Sequence, residues 1–269
     1  MTRRAEMSFS HEGRAAIVTG GANGIGRSIS RLLARDGAKV AVFFHKSADA
    51  AESLKAEVLA AGGTLSIHKV DVRDPEALQA GISEASDLHG PTQIFVHNAG
   101  ISNGSPMIAA NVPAMRDVFE VNFWAAVNGT QMVMREMLRS KFGRIIYIGS
   151  PVATKWATQG SAAYAASKAA LHSLARQVAA EVSHRGDFTA NIVAPGYVRT
   201  DIVSHLAPKH EENILSSMCS GRAGKPDEIA EVVSFIASEQ AAYVTGSVMD
   251  VDGGFSLKSV SRRKRRRDS

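Results

Sequence analysis

Thr19-Gly20-Gly21-Ala22-Asn23-Gly24-Ile25-Gly26 sits between two segments of opposite character. Residues 14–19 form a short apolar run, the pattern of a buried strand, and the residues from Gly24 to about Arg35 carry the spacing of an amphipathic helix. A chain that turns this sharply needs backbone conformations that glycine adopts at no steric cost. Gly20, Gly24 and Gly26, spaced G-x-x-x-G-x-G, also let backbone N–H groups approach a pyrophosphate at the positive end of a helix. The stretch predicts a strand–turn–helix unit that binds a dinucleotide.

The alternation continues in both directions. Further strands are expected at 39–44, 65–72, 93–97, 144–149, 188–194 and 247–251, and helices over 48–61, from Asp74 onward, over 113–139 and over 161–183. Gly62-Gly63 stops one helix, and Asp74-Pro75 opens the next with an N-cap acid and a proline at the first helical position. Strands alternating with helices imply right-handed βα crossovers. The expected fold is α/β: a Rossmann-type, doubly wound, parallel seven-stranded sheet with helices on both faces, in a single domain. We place that domain at 14–257, with an N-terminal extension at 1–13 and a basic tail at 258–269. Residues 197–221 break the rhythm, mixing Ile202, Val203, Leu206, Ile214, Leu215 and Met218 with charge. They follow a strand's carboxyl end, where such sheets bind ligands. They read as a substrate lid, with a plain surface loop as the alternative.

The 269 residues, 45% of them hydrophobic, suffice for one sizeable core. The net charge of +5 suggests a polyanion partner, but Arg262, Arg263, Lys264, Arg265, Arg266 and Arg267 supply six positive charges, leaving −1 for the rest. The tail reads as a solvated end or as a segment that binds polyanions or membrane surfaces, and the near-neutral body argues against nucleic-acid binding. Cys219 is the single cysteine, which excludes an internal disulfide and suits a reducing cytoplasm. No run approaches the ~20 apolar residues of a membrane span. Nine histidines show no metal-ligand spacing, so no catalytic metal is expected.

Tyr164-Ala165-Ala166-Ser167-Lys168 falls in the helix expected at 161–183, where residues four apart share a face. A tyrosine of pKa ~10 is a weak acid–base catalyst at neutral pH, and a nearby ammonium favours its phenolate. The pair therefore predicts a tyrosine tuned for general acid–base work. At the end of the second expected strand, Phe44 stands where NAD-specific Rossmann enzymes place an acid for the ribose 2′-hydroxyl. His45, Lys46 and Ser47 follow, and Lys46 and Ser47 can bind a 2′-phosphate. The reading is NADP(H) favoured over NAD(H), although Asn23 in the glycine turn is uncharged.

With these motifs the chain resembles the short-chain dehydrogenase/reductase family over about residues 14–255. The likeness continues through Asp71-Val72, Asn98-Ala99-Gly100, Pro195-Gly196 with Val198 and Thr200, Gly224 to Ala230, and Asp252-Gly253-Gly254. His97 stands where many members have a first asparagine. The resemblance implies cofactor contacts by Gly20, Asn23, Gly24, Ile25 and Gly26, by Asp71 and Val72 at the adenine, and by Asn98, Ala99 and Gly100. Pro195, Gly196, Val198 and Thr200 would lie near the nicotinamide carboxamide, and Tyr164 and Lys168 near its ribose. It also implies that Ser150 and Asn122 complete the catalytic set, Ser150 binding the substrate oxygen and Asn122 kinking its helix and holding a relay water. Ser150 precedes Tyr164 by fourteen residues, which we read as one inserted residue in the loop 151–160 that carries Trp156.

The nearest likeness is to 3-oxoacyl-thioester reductases, with Lys141 and Arg185 where acyl-carrier-reducing relatives have basic residues. The alternatives are an alcohol, sugar or steroid dehydrogenase of the same fold, or a non-catalytic dinucleotide-binding scaffold. The family also implies a homo-oligomer, a tetramer, through the two long helices, with Ala162, Ala163, Ala165, Ala166, Ala169 and Ala170 allowing close approach.

Overall fold

Ala15–Thr19 forms β1, and all five residues are buried, as a strand covered on both faces requires. The structure is a computed structural model that describes residues 9–199 and 208–257. Thr200, the first part of the expected lid and the basic tail lie outside these residues. After β1 come α1 (Gly24–Arg35), β2 (Lys39–Phe44), α2 (Ala48–Ala60), β3 (Thr64–Lys69), α3 (Pro75–His89) and β4 (Thr92–His97). Then follow α4 (Val112–Phe119), a π turn (Glu120–Trp124), α5 (Ala125–Ser140), β5 (Phe142–Ile148) and α6 (Ala162–Val182). The remaining elements are β6 (Asp187–Pro195), α7 (Pro208–Ser217), α8 (Pro226–Ala237) and β7 (Val248–Val251).

The seven strands form one sheet in the order β3-β2-β1-β4-β5-β6-β7, and every pairing is parallel. The expected doubly wound sheet is what the chain forms. On one face Ile29 and Leu33 of α1, Leu54 of α2 and Val233 and Ile236 of α8 cover Val18, Val40, Val42 and Val96. On the other, Leu78 and Ile82 of α3, Val133 and Met137 of α5 and Leu171 of α6 cover Ile17, Phe43, Phe95 and Ile145. The connections reverse direction between β1 and β4, where Thr19 pairs with His97. A crevice opens at that switch point beyond the strand ends, and ligands bind there in such sheets.

Several local expectations need correction. The helix expected over 113–139 is two α-helices joined by the π turn, which places one extra residue in the helical path. β3 stops at Lys69 rather than Val72: Val70 N–H makes a last bond to Phe44 O, at 2.8 Å, and the chain then turns through Asp74 N–H to Asp71 O, at 3.0 Å. Asp74 caps α3 as expected, accepting from Glu76 and Ala77 N–H at 2.9 and 3.2 Å. The helix α8 was not anticipated, although Pro226 at its first turn and Glu228, which accepts from Lys225 N–H at 2.8 Å, are start signals. The domain begins by Phe9 rather than at Arg14. Phe9 packs on Phe235 with ring centroids 5.3 Å apart, and buried His11 has Nε2 2.9 Å from Ser234 Oγ.

Candidate active site

The crevice at the switch point is a cleft of about 270 Å³. One wall is the glycine turn. Gly20 has φ +62°, and a Cβ on Gly26 would lie 2.2 Å from Gly20 O and 2.5 Å from Asn98 Nδ2. The start of α1 thus packs directly on the turn. Asn98 fastens the opposite side, donating from Nδ2 to Gly20 O at 2.9 Å and Thr19 O at 3.2 Å. Gly20, Asn23, Gly24, Ile25, Asn98, Ala99 and Gly100 all line the cleft. Asn23 is the N-cap of α1 but does not cap it with its side chain, so the first-turn N–H groups lack that acceptor. Pyrophosphate oxygens are acceptors of the required kind, and the residues fit a dinucleotide.

The second turn lies beside the first. Asn23 Nδ2 donates to Ser47 Oγ at 2.7 Å, so the two turns are joined at their tips. Phe44 ends β2 buried in the core, and His45 and Lys46 are exposed. His45 Nε2 is 3.6 Å from Asp71 Oδ2. Asp71 is held by Arg73 through Nε at 3.0 Å and Nη2 at 2.6 Å, and this pairing draws its carboxyl down to about 2. Val72 beside it is buried.

Across the cleft, Ser150, Tyr164 and Lys168 come together with Pro195, Gly196 and Val198. Ser150 follows β5 and its Oγ accepts from Val152 N–H at 3.4 Å. The loop behind it opens with a single short helical turn, Pro151–Ala153. Tyr164 and Lys168 sit one turn apart on α6, and the Tyr164 hydroxyl faces Ser150. Burial raises the phenol above its ordinary value, and the Ser150 hydroxyl beside it opposes that only in part. The expectation that Lys168 lowers it does not hold here, because Lys168 Nζ lies 5.8 Å from the ring centre and bonds instead to Ile148 O at 2.7 Å. Lys168 is itself lowered to about 8 by burial.

Asn122 stands in the π turn, fully buried. Its Oδ1 accepts from Ile101 N–H at 2.8 Å, and its Nδ2 donates to Ile101 O and Ser167 Oγ, both at 3.0 Å. It meets Lys168 at Gly100, where a Cβ would lie 3.3 Å from Lys168 Nζ and 3.5 Å from Asn122 Oδ1. Six residues of the cleft or its support were not anticipated: Ile101, Ser102, Ile148, Gly149, Tyr197 and Ser167. Each adjoins a motif that was read, but Ile148 bonds Lys168 through its backbone, which leaves no trace in side-chain identity. Lys141 and Arg185 precede β5 and β6, at the opposite end of the sheet from Ser150, about 20 Å away for strands of this length. Among the described residues no three His, Cys, Asp or Glu side chains gather as metal ligands would, and no helix is long and apolar enough to cross a membrane.

Known proteins resemble the chain in sequence and in fold. A family profile described as enoyl-(acyl carrier protein) reductase matches residues 20–256. The 3-oxoacyl-[acyl-carrier-protein] reductase MabA of Mycobacterium bovis is 38% identical over 244 residues, covering 91% of this chain and 93% of its own. The 3-oxoacyl-[acyl-carrier-protein] reductase FabG of Escherichia coli is 37% identical over 243 residues, or 90% and 97% of the two chains. A short-chain dehydrogenase/reductase from Serratia marcescens superposes with a TM-score of 0.86 at 36% identity, covering 91% of this chain and 98% of its own. A short-chain dehydrogenase from Burkholderia cenocepacia in complex with NADP does so at 0.85 and 32%, with coverage of 91% and 98%. With the glycine turn, the Tyr164–Lys168 pair and the parallel sheet in place, the chain belongs to the short-chain dehydrogenase/reductase family of NAD(P)-dependent oxidoreductases.

Proposed function

We propose that the chain reduces the ketone of a 3-oxoacyl thioester to the alcohol with NADPH. The observation that carries the reading is the assembly of Ser150, Tyr164 and Lys168 at the rim of the dinucleotide turn. A bound reduced nicotinamide supplies the hydride. The chain's own groups manage the oxygen and its proton. Ser150 and Tyr164, which line the cleft together, present hydroxyls to the carbonyl oxygen. Burial keeps the phenol protonated, so Tyr164 can deliver its proton as the alkoxide forms. Lys168 binds the nicotinamide ribose and returns a proton to Tyr164, with a water held at Asn122 completing the path. Asp71 and Val72 flank the adenine, and Pro195, Gly196 and Val198 lie at the carboxamide.

The preference for NADPH rests on the second turn. No carboxylate occupies the end of β2, Asp71 is engaged by Arg73, and the joined Asn23 and Ser47 with His45 and Lys46 offer donors to a 2′-phosphate. The thioester class rests on the two reductases 37–38% identical over nine-tenths of the chain. Lys141 and Arg185 are too far from Ser150 to contact the reacting carbonyl of their own subunit. We further propose a cytoplasmic homotetramer, with α5 and α6 at a subunit interface where Trp124, Ala162 and Ala166 are exposed. Ala163 is buried within its own subunit and takes no part.

Steady-state turnover on a panel of acetoacetyl thioesters, simple ketones, sugars and steroids, each with NADPH and NADH, tests the reading. The thioester with NADPH is expected to give the highest kcat/KM, and a sugar or steroid exceeding it overturns the substrate class. Light scattering at working concentration tests the tetramer, which a monomer mass removes.

A further inference from the structure

His97, the last residue of β4, is fully buried behind the cleft. Its Nδ1 lies 3.2 Å from Thr19 Oγ1. That same oxygen accepts from the backbone N–H groups of Asn98 and Ala99, each at 3.1 Å. With two donors already on the oxygen, the Thr19 hydroxyl proton points to Nδ1. Nδ1 is therefore an acceptor, and the proton of the neutral ring sits on Nε2.

Nε2 has no partner of good hydrogen-bond geometry among the described residues. The backbone beside the ring is that of Val121 and Asn122, whose carbonyls favour a proton there. Both residues lie in the π turn, where Ala125 N–H already bonds to Glu120 O, five residues back. Where such a turn hands back to the α-helical pattern, one carbonyl is left without a helical N–H. A neutral imidazole donating from Nε2 is suited to that carbonyl. An imidazolium would face the Lys168 ammonium, and burial together with that charge keeps His97 neutral down to about pH 3.

We propose that His97 is a positioning residue that ties the dinucleotide turn, through Thr19, to the π turn carrying Asn122. Through it the asparagine amide stays on Ile101 and beside Lys168, while Asn98, whose amide donates to Gly20 O and Thr19 O, fastens the cofactor turn without the ring. The inference rests on the proton path assigned above to Lys168 and Asn122.

Three variants separate the two arms. His97→Phe keeps a ring and removes both nitrogens, His97→Asn retains an acceptor near the Nδ1 position, and His97→Gln retains a donor near Nε2. The measurements are NADPH affinity by fluorescence titration, kcat and ketone KM, and the solvent deuterium isotope effect on kcat. His97→Phe is expected to lower kcat by about tenfold or more while NADPH affinity and ketone KM stay within about threefold. Its solvent isotope effect should rise, because return of the proton has slowed. His97→Gln should recover most of the loss and His97→Asn should not. Wild-type kcat and isotope effect in His97→Phe overturn the proposal, as does equal recovery by Asn and Gln. A joint fall of kcat, cofactor affinity and Tm in all three variants overturns it too, because plain packing accounts for that. If His97→Phe does not fold, the comparison of Gln with Asn decides. Asn122→Ala is measured alongside. Full turnover there defeats the proton path itself, whereas loss there with none in His97→Phe defeats only the role of His97.

Discussion

Lys168 and Tyr164 share one face of α6, yet the ammonium stands 5.8 Å from the centre of the phenol ring and gives its hydrogen bond to the carbonyl of Ile148. In the free enzyme the two groups are neighbours without being a bonded pair. Burial acts on them in opposite directions, raising the phenol and lowering the amine to about 8. The phenol therefore stays protonated through neutral pH, while the ammonium is lost as pH rises past about 8. In the reducing direction kcat/KM should be level near neutrality and fall above about pH 8. The residual activity of Lys168→Arg should lack that fall, because a guanidinium does not titrate there. A wild-type profile level to pH 10 would show that the Lys168 charge is not required.

Tyr164→Phe removes one hydroxyl and leaves the ring. Turnover should drop by roughly 10²- to 10⁴-fold, the usual contribution of a positioned general acid, with NADPH affinity within about twofold. Stopped-flow single turnovers and fluorescence titration measure the two quantities. Near-normal single-turnover rates would remove Tyr164 from the chemistry.

Gly26→Ala should abolish cofactor binding. The new methyl would lie 2.2 Å from Gly20 O and 2.5 Å from Asn98 Nδ2, both parts of the turn itself. A weakening of the NADPH dissociation constant by more than about 100-fold is expected, equivalent to about 2.7 kcal/mol. Calorimetric titration on the folded variant decides it.

The double variant Phe44→Asp with Lys46→Ala should move the ratio of kcat/KM for NADPH to that for NADH by at least about tenfold toward NADH, as a carboxylate repels the 2′-phosphate and accepts from a 2′-hydroxyl. Phe44 packs in the core, so Tm should fall as well. An unchanged ratio in the folded variant would place the specificity elsewhere.

His11 predicts acid sensitivity. Burial lowers it from 6.5 to about 4. Above pH 6.5 it is neutral in both folded and unfolded chains and contributes no pH dependence. Between pH 6.5 and 4 the unfolded chain takes up a proton that the folded one refuses, so stability falls with pH, by about 3 kcal/mol in all. Denaturant titrations of His11→Gln against wild type across this range should converge as pH falls. Parallel curves would show that His11 is not responsible.

The sheet, the glycine turn and the Tyr164–Lys168 pair were legible because each is a periodicity or a spacing, and Ser150 and Asn122 came from family likeness. The π turn was not legible: Val112 to Ser140 keeps a helical apolar rhythm, and one extra residue in the helical path does not disturb it. Nor was the state of Tyr164, since the spacing puts Lys168 on the same face but does not reveal that Ile148 O claims the ammonium. The attachment of Phe9 and His11 escaped because their partners, Phe235 and Ser234, lie more than 200 residues away.

The strand order has a consequence for how such an enzyme can change. On the proposed assignments, the groups that choose the electron carrier lie at the ends of β1, β2 and β3, and those that handle the proton lie in the π turn, after β5 and on α6. Residues up to Val72 would then set which reductant pool feeds the reaction, and residues from Asn122 onward what is done with it. A shift in cellular supply from one nicotinamide to the other can be met by substitutions at residues 44–47 while the proton path keeps its form.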